Sequence, residues 1–221
     1  MSNWLRLYKI SIIKTIYFNF KYLSFKQAIK LPILLSNKVY LKKTQGIIEI
    51  NQPITFGMIK IGFGDVGIFD EKRSRTIWQL YGKIVFHGTA SIGHGSKISV
   101  GKSGVLSLGK NFRITAESAI ISHLRIDFGN DCLLSWDTLI MDTDFHKIKN
   151  ELNEVTNYPS SITVGNSVWI GCRNLILKGA VIPDYSIIGA NTLVNKELKY
   201  KNSLYVGNPV FRLKENVSWE L

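Results

Sequence analysis

The stretch ITVGNSVWIGCRNLILKGAVIPDYSIIGANTLV, residues 162–194, decides the fold. An aliphatic residue recurs at every sixth position: Val164, Ile170, Ile176, Ile182, Ile188 and Val194. The next position is often small, as at Gly165, Gly171 and Gly189. Four residues after each aliphatic stands another small or apolar side chain: Val168, Asn174, Ala180, Ser186, Thr192 and Leu198. Neither a helix of 3.6 residues per turn nor the two-residue alternation of a strand gives a period of six. A triangular coil does. Three flat faces make about 18 residues per turn, each aliphatic pointing into the prism. A glycine or small neighbour then eases the chain around each corner.

The same register extends upstream through Phe128, Leu134 and Ile140, then Leu108, Ile114 and Ile120, and more faintly Phe86, Ile92 and Ile98. Residues 46–70, with Ile47, Ile48, Ile50, Ile54, Ile59 and Ile61 and with Gly57, Gly62, Gly64 and Gly67, read as irregular early coils. A solenoid over 46–205 is expected, of up to about nine turns and fewer once loops are subtracted. Residues 143–161, TDFHKIKNELNEVTNYPSS, carry no inward aliphatic and read as a loop expelled from the wall. Residues 206–221 form a tail expected to cover the open last coil.

The first 45 residues differ in kind. Between Met1 and Ile48 stand Arg6, Lys9, Lys14, Lys21, Lys26, Lys30, Lys38, Lys42 and Lys43 and no acid, so this segment holds +9 of the net +12. A lysine or arginine interrupts, every few residues, the run of Trp4, Leu5, Leu7, Tyr8, Ile10, Ile12, Ile13, Ile16, Tyr17, Phe18, Phe20, Tyr22, Leu23 and Phe25. A basic, aromatic-rich amphipathic helix over residues 1–30 is expected. Either it lies on an anionic membrane surface, or it packs on the body or a neighbouring subunit. The segment is too apolar for a nucleic-acid arm, and no nucleic-acid motif accompanies it. Cys132 and Cys172 are too few for a disulfide framework and read as buried free thiols. Without a clean signal peptide or an uninterrupted apolar span, the expected location is cytoplasmic, at most peripheral to the inner membrane.

These residues resemble a known family, the left-handed β-helix (hexapeptide-repeat) acyltransferases, in the branch of maltose and galactoside O-acetyltransferases. The resemblance rests on DTDFH at 142–146, on residues 162–194 and on VGNPVFRLK at 206–214, and covers residues 108–214. The N-terminal half looks more like the additional coils of capsular polysaccharide acetyltransferases. The family fold implies left-handed crossovers, an exception to the usual hand. It also implies acetyl-CoA as co-substrate, no metal, a sugar acceptor, and a homotrimer with active sites between subunits.

Residue by residue, the resemblance makes His146 the general base, a task suited to an imidazole titrating near neutrality. Asp142 and Asp144 flank it. They are expected either to orient its other ring nitrogen or merely to cap the loop. Trp169 matches a tryptophan beside the cofactor arm and acceptor. Gly171, Cys172 and Ala190 match exposed backbone along stacked corners that meets coenzyme A, with Asn195 and Lys196 after them. Lys214 matches a basic residue near the nucleotide phosphates. Thr115 falls where relatives often place an Asn beside the acceptor, and Glu117, Ser122 and His123 share that stretch as candidate pocket residues.

The leading expectation is an acetyl-CoA-dependent O-acetyltransferase acting on a sugar hydroxyl of a surface or capsular polysaccharide or its precursor. The alternatives are a non-catalytic carbohydrate-binding or structural solenoid, N-transfer to an amino sugar, and a metal-dependent hydrase of the same fold. The hydrase needs convergent histidines, and the spacing of His87, His94, His123 and His146 lacks the close pair such sites use.

Overall fold

In the computed structural model, which describes residues 9–220, the chain winds into a left-handed parallel β-helix with three faces. One face has nine strands, the next seven and the last six, visited in that order on every turn. Six complete turns are followed by a partial seventh. The inward column holds as the period demands: Phe86, Ile92, Ile98, Leu108, Ile114, Ile120, Phe128, Leu134, Ile140 and the six residues from Val164 to Val194 are all buried. So is the second column, Val168, Asn174, Ala180, Ser186, Thr192 and Leu198.

The turns are not of equal length. Ladder partners lie 18 residues apart at the top, as for Ile170 and Ile188. They lie 20 apart for Ile114 and Leu134 and 22 apart for Ile92 and Ile114. The extra residues sit at corners, which is why nine turns do not fit. The solenoid also starts earlier than position 46, because Ile33–Leu35 and Val39–Thr44 already pair with Ile59–Phe63 and Thr76–Leu80. Those strands lack the strict period, so their membership is invisible to it.

Corner chemistry differs from the glycine rule expected above. Gly165, Gly171 and Gly189 do not have positive φ; Ser167, Arg173 and Asn191, two residues further on, do. The glycines matter for clearance instead. A Cβ at Gly171 would sit 2.9 Å from the Ile188 carbonyl oxygen in the next turn, and one at Gly165 2.4 Å from the Asp184 carboxylate.

Both ends of the prism are covered. At the C-terminal end Ser203–Val206 joins the nine-stranded face and Phe211–Glu215 adds an antiparallel strand outside it. At the other end two short helices, α1 (Ile12–Tyr22) and α2 (Phe25–Ala28), close the opening. Phe18 is fully buried and meets the core Trp78 edge-on at 5.4 Å. Asn19 donates to the Ile33 carbonyl at 2.7 Å and accepts from the Ile33 N–H, while the Thr15 hydroxyl accepts from the Leu35 N–H at 3.1 Å. These side chains satisfy an edge strand that would otherwise offer unpaired backbone to any passing chain. Trp4, Leu5, Arg6, Leu7 and Tyr8, part of the expected helix, lie outside the described residues. Among the described residues no helix is long and apolar enough to cross a membrane.

Candidate active site

The seven-stranded face separates two stacks of corners. Its outward residues in the upper turns are apolar: Ala119 and Ile121, Leu139 and Met141, Leu175 and Leu177, and Leu193 lie in ladder register. Leu175 is 44% exposed. The six-stranded face is mixed, with Glu49, Lys83, Arg125, Asp127 and Thr163 outward beside Ile47, Val85, Val105 and Val181.

The loop of residues 143–161 leaves the wall after Met141, at the corner between the seven- and six-stranded faces. Asp142 is its root. Fully buried, it accepts from the His123 N–H at 2.7 Å, the Leu124 N–H at 2.9 Å and the Ser122 hydroxyl at 3.0 Å, all in the turn below. Asp144 follows, bound by the Lys178 ammonium at 2.6 Å and the Asn157 amide at 2.8 Å. The Lys178 bond, then the Asn157 bond, hold the Asp144 carboxyl below its ordinary pKa. Lys178 also donates to the carbonyls of Asn157 and Tyr158, so it ties the outgoing and returning arms together.

His146 is exposed at the head of this loop, its backbone fixed by the Asp144 carbonyl at 2.7 Å and by the Asn157 amide at 2.8 Å. Neither aspartate touches its imidazole. The expectation that Asp142 or Asp144 orients the ring is therefore not met within this chain: one is spent anchoring the wall, the other is clasped by Lys178. His123 lies under the loop, edge-on to Phe145 with ring centroids 4.8 Å apart.

Gly171, Cys172 and Ala190 stand at the other corner, between the nine- and seven-stranded faces, stacked in adjacent turns. Trp169 is 36% exposed just before that corner; its indole N–H donates to Ser135 Oγ at 3.1 Å, and Trp219 of the tail lies 6.2 Å away. Lys214 is exposed in the same outward column, past Ile187 and Leu204. Thr115 and Glu117 belong to this corner too, in the turn below that of Ser135. Burial would raise the Glu117 pKa, but Lys97, at 2.6 Å, and the Ser74 hydroxyl outweigh it and hold the carboxyl low. Asn195 and Lys196 do not join Gly171 and Ala190. They lie on the top turn of the histidine-loop corner, above Lys178, because that strand ends at Val194.

Two residues escaped the sequence reading. Trp136 lies directly below Cys172, since Leu134 pairs with Ile170. It therefore shares the turn from which the histidine loop emerges. Its signal was a 36-residue offset hidden by the loop insertion. Lys178 looked like any solvated lysine, and only the folded loop reveals its role. Cys132 is buried, its thiol pushed up to about 12 by desolvation, so it is no nucleophile. The four histidines stand at three different corners. A groove of about 490 Å³ on the nine-stranded face, between Lys60, Ser91, Arg113 and Leu133, lies away from the histidine loop.

No protein-family model matches the chain. It is 30% identical over 113 residues to the galactoside O-acetyltransferase of Escherichia coli K12, covering 50% of this chain and 54% of that protein. The chain thus spans about half the length of that relative. An uncharacterised 24.8 kDa protein in the cps region of Klebsiella pneumoniae is 26% identical over 202 residues, 91% of this chain and 87% of the relative. The solved structure of the polySia-specific acetyltransferase NeuO superposes with a TM-score of 0.51 at 19% identity, covering 84% of this chain and 90% of that one. By its repeat and its architecture, the chain is a left-handed β-helix protein of the hexapeptide-repeat kind.

Proposed function

We propose that this protein is an acetyl-CoA-dependent O-acetyltransferase whose acceptor is a sugar hydroxyl of a surface or capsular polysaccharide or its precursor. One observation carries the reading: a loop histidine and a corner where the small residues Cys172 and Ala190 stack above Trp136 border opposite edges of a single apolar face. Packing of that face against copies of itself around a threefold axis buries Leu139, Leu175 and their neighbours. It brings the His146 corner of one subunit to the Gly171–Ala190 corner of the next. The similarity to galactoside O-acetyltransferase and to a cps-region protein supports this choice of chemistry and acceptor class.

In such a groove acetyl-CoA brings an activated thioester. The His146 imidazole takes the proton from the acceptor hydroxyl as its oxygen attacks the thioester carbonyl, then passes that proton to the departing CoA sulfur. Lys178 and Asn157 hold the loop, and hence the ring, in place. Trp169 and Trp136 wall the groove; Gly171, Cys172 and Ala190 let the cofactor arm approach the backbone. Asn195, Lys196 and Lys214 lie near the top, where they meet the nucleotide end. Thr115 and Glu117, one turn below Trp136, back the acceptor side of the groove, Glu117 through its ion pair with Lys97, with His123 beneath the loop. The cytoplasm, where acetyl-CoA is made, is the location this reading requires, with residues 1–30 against an anionic membrane.

The test is labelled acetyl-CoA with a panel of oligosaccharides. Transfer by the wild type and its loss in His146→Ala support the reading; equal transfer by both proteins refutes the catalytic assignment. Failure of acetyl-CoA to bind favours a carbohydrate-binding solenoid.

A further inference from the structure

The capping helix α1 is amphipathic in an inverted sense. Its inward stripe, Thr15, Phe18, Asn19 and Tyr22, carries the polar groups that satisfy the edge strand. Its outward stripe, Ile13, Ile16, Tyr17 and Phe20, is apolar, with exposures of 83%, 46%, 49% and 45%. Phe25 and Ile29 around α2 continue it at 71% and 55%. Lys21, Lys26 and Lys30 are exposed around these residues, and no carboxylate occurs before Glu49. Water gains nothing from such a face, and the body of the protein already has its seal in Phe18.

From this geometry we infer that the protein docks end-on to an anionic lipid bilayer, through the outward stripe of α1 and the side chains around α2. Apolar and aromatic side chains enter the interfacial region while the lysines stay at headgroup level. Charge selects a lipid surface as the occupant, since a second copy of the same face would bring its lysines against these.

The orientation follows from the fold, and this part rests on the trimer proposed above. A threefold axis parallel to the prism axes puts all three caps on one end, so three weak insertions act together. The site is then held at a set height. From the first strand of the nine-stranded face to the turn carrying the histidine loop there are four strand spacings. With the helix itself this makes roughly 30 Å. The hydroxyl acetylated would be one presented away from the lipid, on an extended glycan rather than on the sugar next to its anchor.

The experiment is vesicle flotation of the full-length protein and of Ile13→Glu/Phe20→Glu, using phosphatidylcholine with or without phosphatidylglycerol. The wild type should float only with phosphatidylglycerol, and the variant should lose at least about tenfold of that recovery. Acetyl-CoA binding and sedimentation should be unchanged, because neither residue reaches the groove or the apolar face. Flotation of the variant at the wild-type level, or none by the wild type, overturns the inference. So does end-to-end pairing of trimers that the variant abolishes, which would put a second copy on this face. A protein that floats but transfers no acetyl group keeps the docking surface and refutes the activity instead.

Discussion

The two corners that border the seven-stranded face solve opposite problems. The one at Gly171 and Ala190 is stripped down, with small side chains and a Gly171 that tolerates no Cβ without pressing on the next turn. The one at Asp142 is elaborated: a buried carboxylate roots a loop, and Lys178 clasps its two arms. One corner presents backbone; the other presents a side chain on a braced arm. They border opposite edges of one apolar sheet, and in the function proposed above the two serve one reaction where two chains meet.

The strongest attempt to break this contrast removes the projecting side chain. His146→Ala should lower kcat by about 10²–10⁴-fold with little change in Tm, measured by acetyl transfer and calorimetry. Next comes the division between chains. Ala190→Trp should block the plain corner by bulk. Mixed and reassembled with His146→Ala, it should regain about a quarter of wild-type activity, since half the subunits carry each intact element. No recovery would mean that each site is built by one chain.

The root of the loop should matter for stability as well as rate. Asp142→Ala strands a hydroxyl and two backbone N–H groups in the wall, at a cost of about 1–3 kcal/mol. Chemical denaturation should register that loss. By contrast, Phe18→Ala leaves a cavity at the end of the prism worth about 3–5 kcal/mol, while turnover at permissive temperature stays near wild type.

The smallest effect is on the clasp. The Asp144 carboxyl titrates below its ordinary range, so the Lys178 contact contributes fully above the ordinary carboxylate pKa. It is lost as the pH falls through the depressed value. Lys178→Ala should therefore move the acid limb of the activity profile upward and leave the neutral plateau only slightly lower. An unchanged acid limb would show that Asp144 needs no partner.

The inward columns were legible because every repeat meets the same surroundings, so the period survives in Val164 to Val194 without knowledge of the fold. The wall at Ile33–Thr44 was not, since its strands pair without repeating. Nor was the direction in which α1 faces. Its sequence offers two stripes at helical spacing, and hydrophobicity alone would bury Ile13 and Phe20. The edge strand at Ile33–Leu35 needed donors and acceptors, and that demand turned Thr15 and Asn19 inward. The motif singled out His146 and left Asp142 with two readings, and the contacts of Asp142 with the turn below show it anchoring the wall.

Leu134 and Ile170 are neighbours in the ladder, yet 36 residues separate them, twice the 18 that separate Ile170 from Ile188. The loop that carries His146 is thus a whole turn of wall unspooled and thrown outward, after which the winding resumes in phase. Cutting out residues 143–160 would leave the thread of the screw continuous. Such a chain should still wind and still close its ends, without the histidine proposed as the base. Scaffold and reactivity occupy separate lengths of one ribbon, and a single excision would part them.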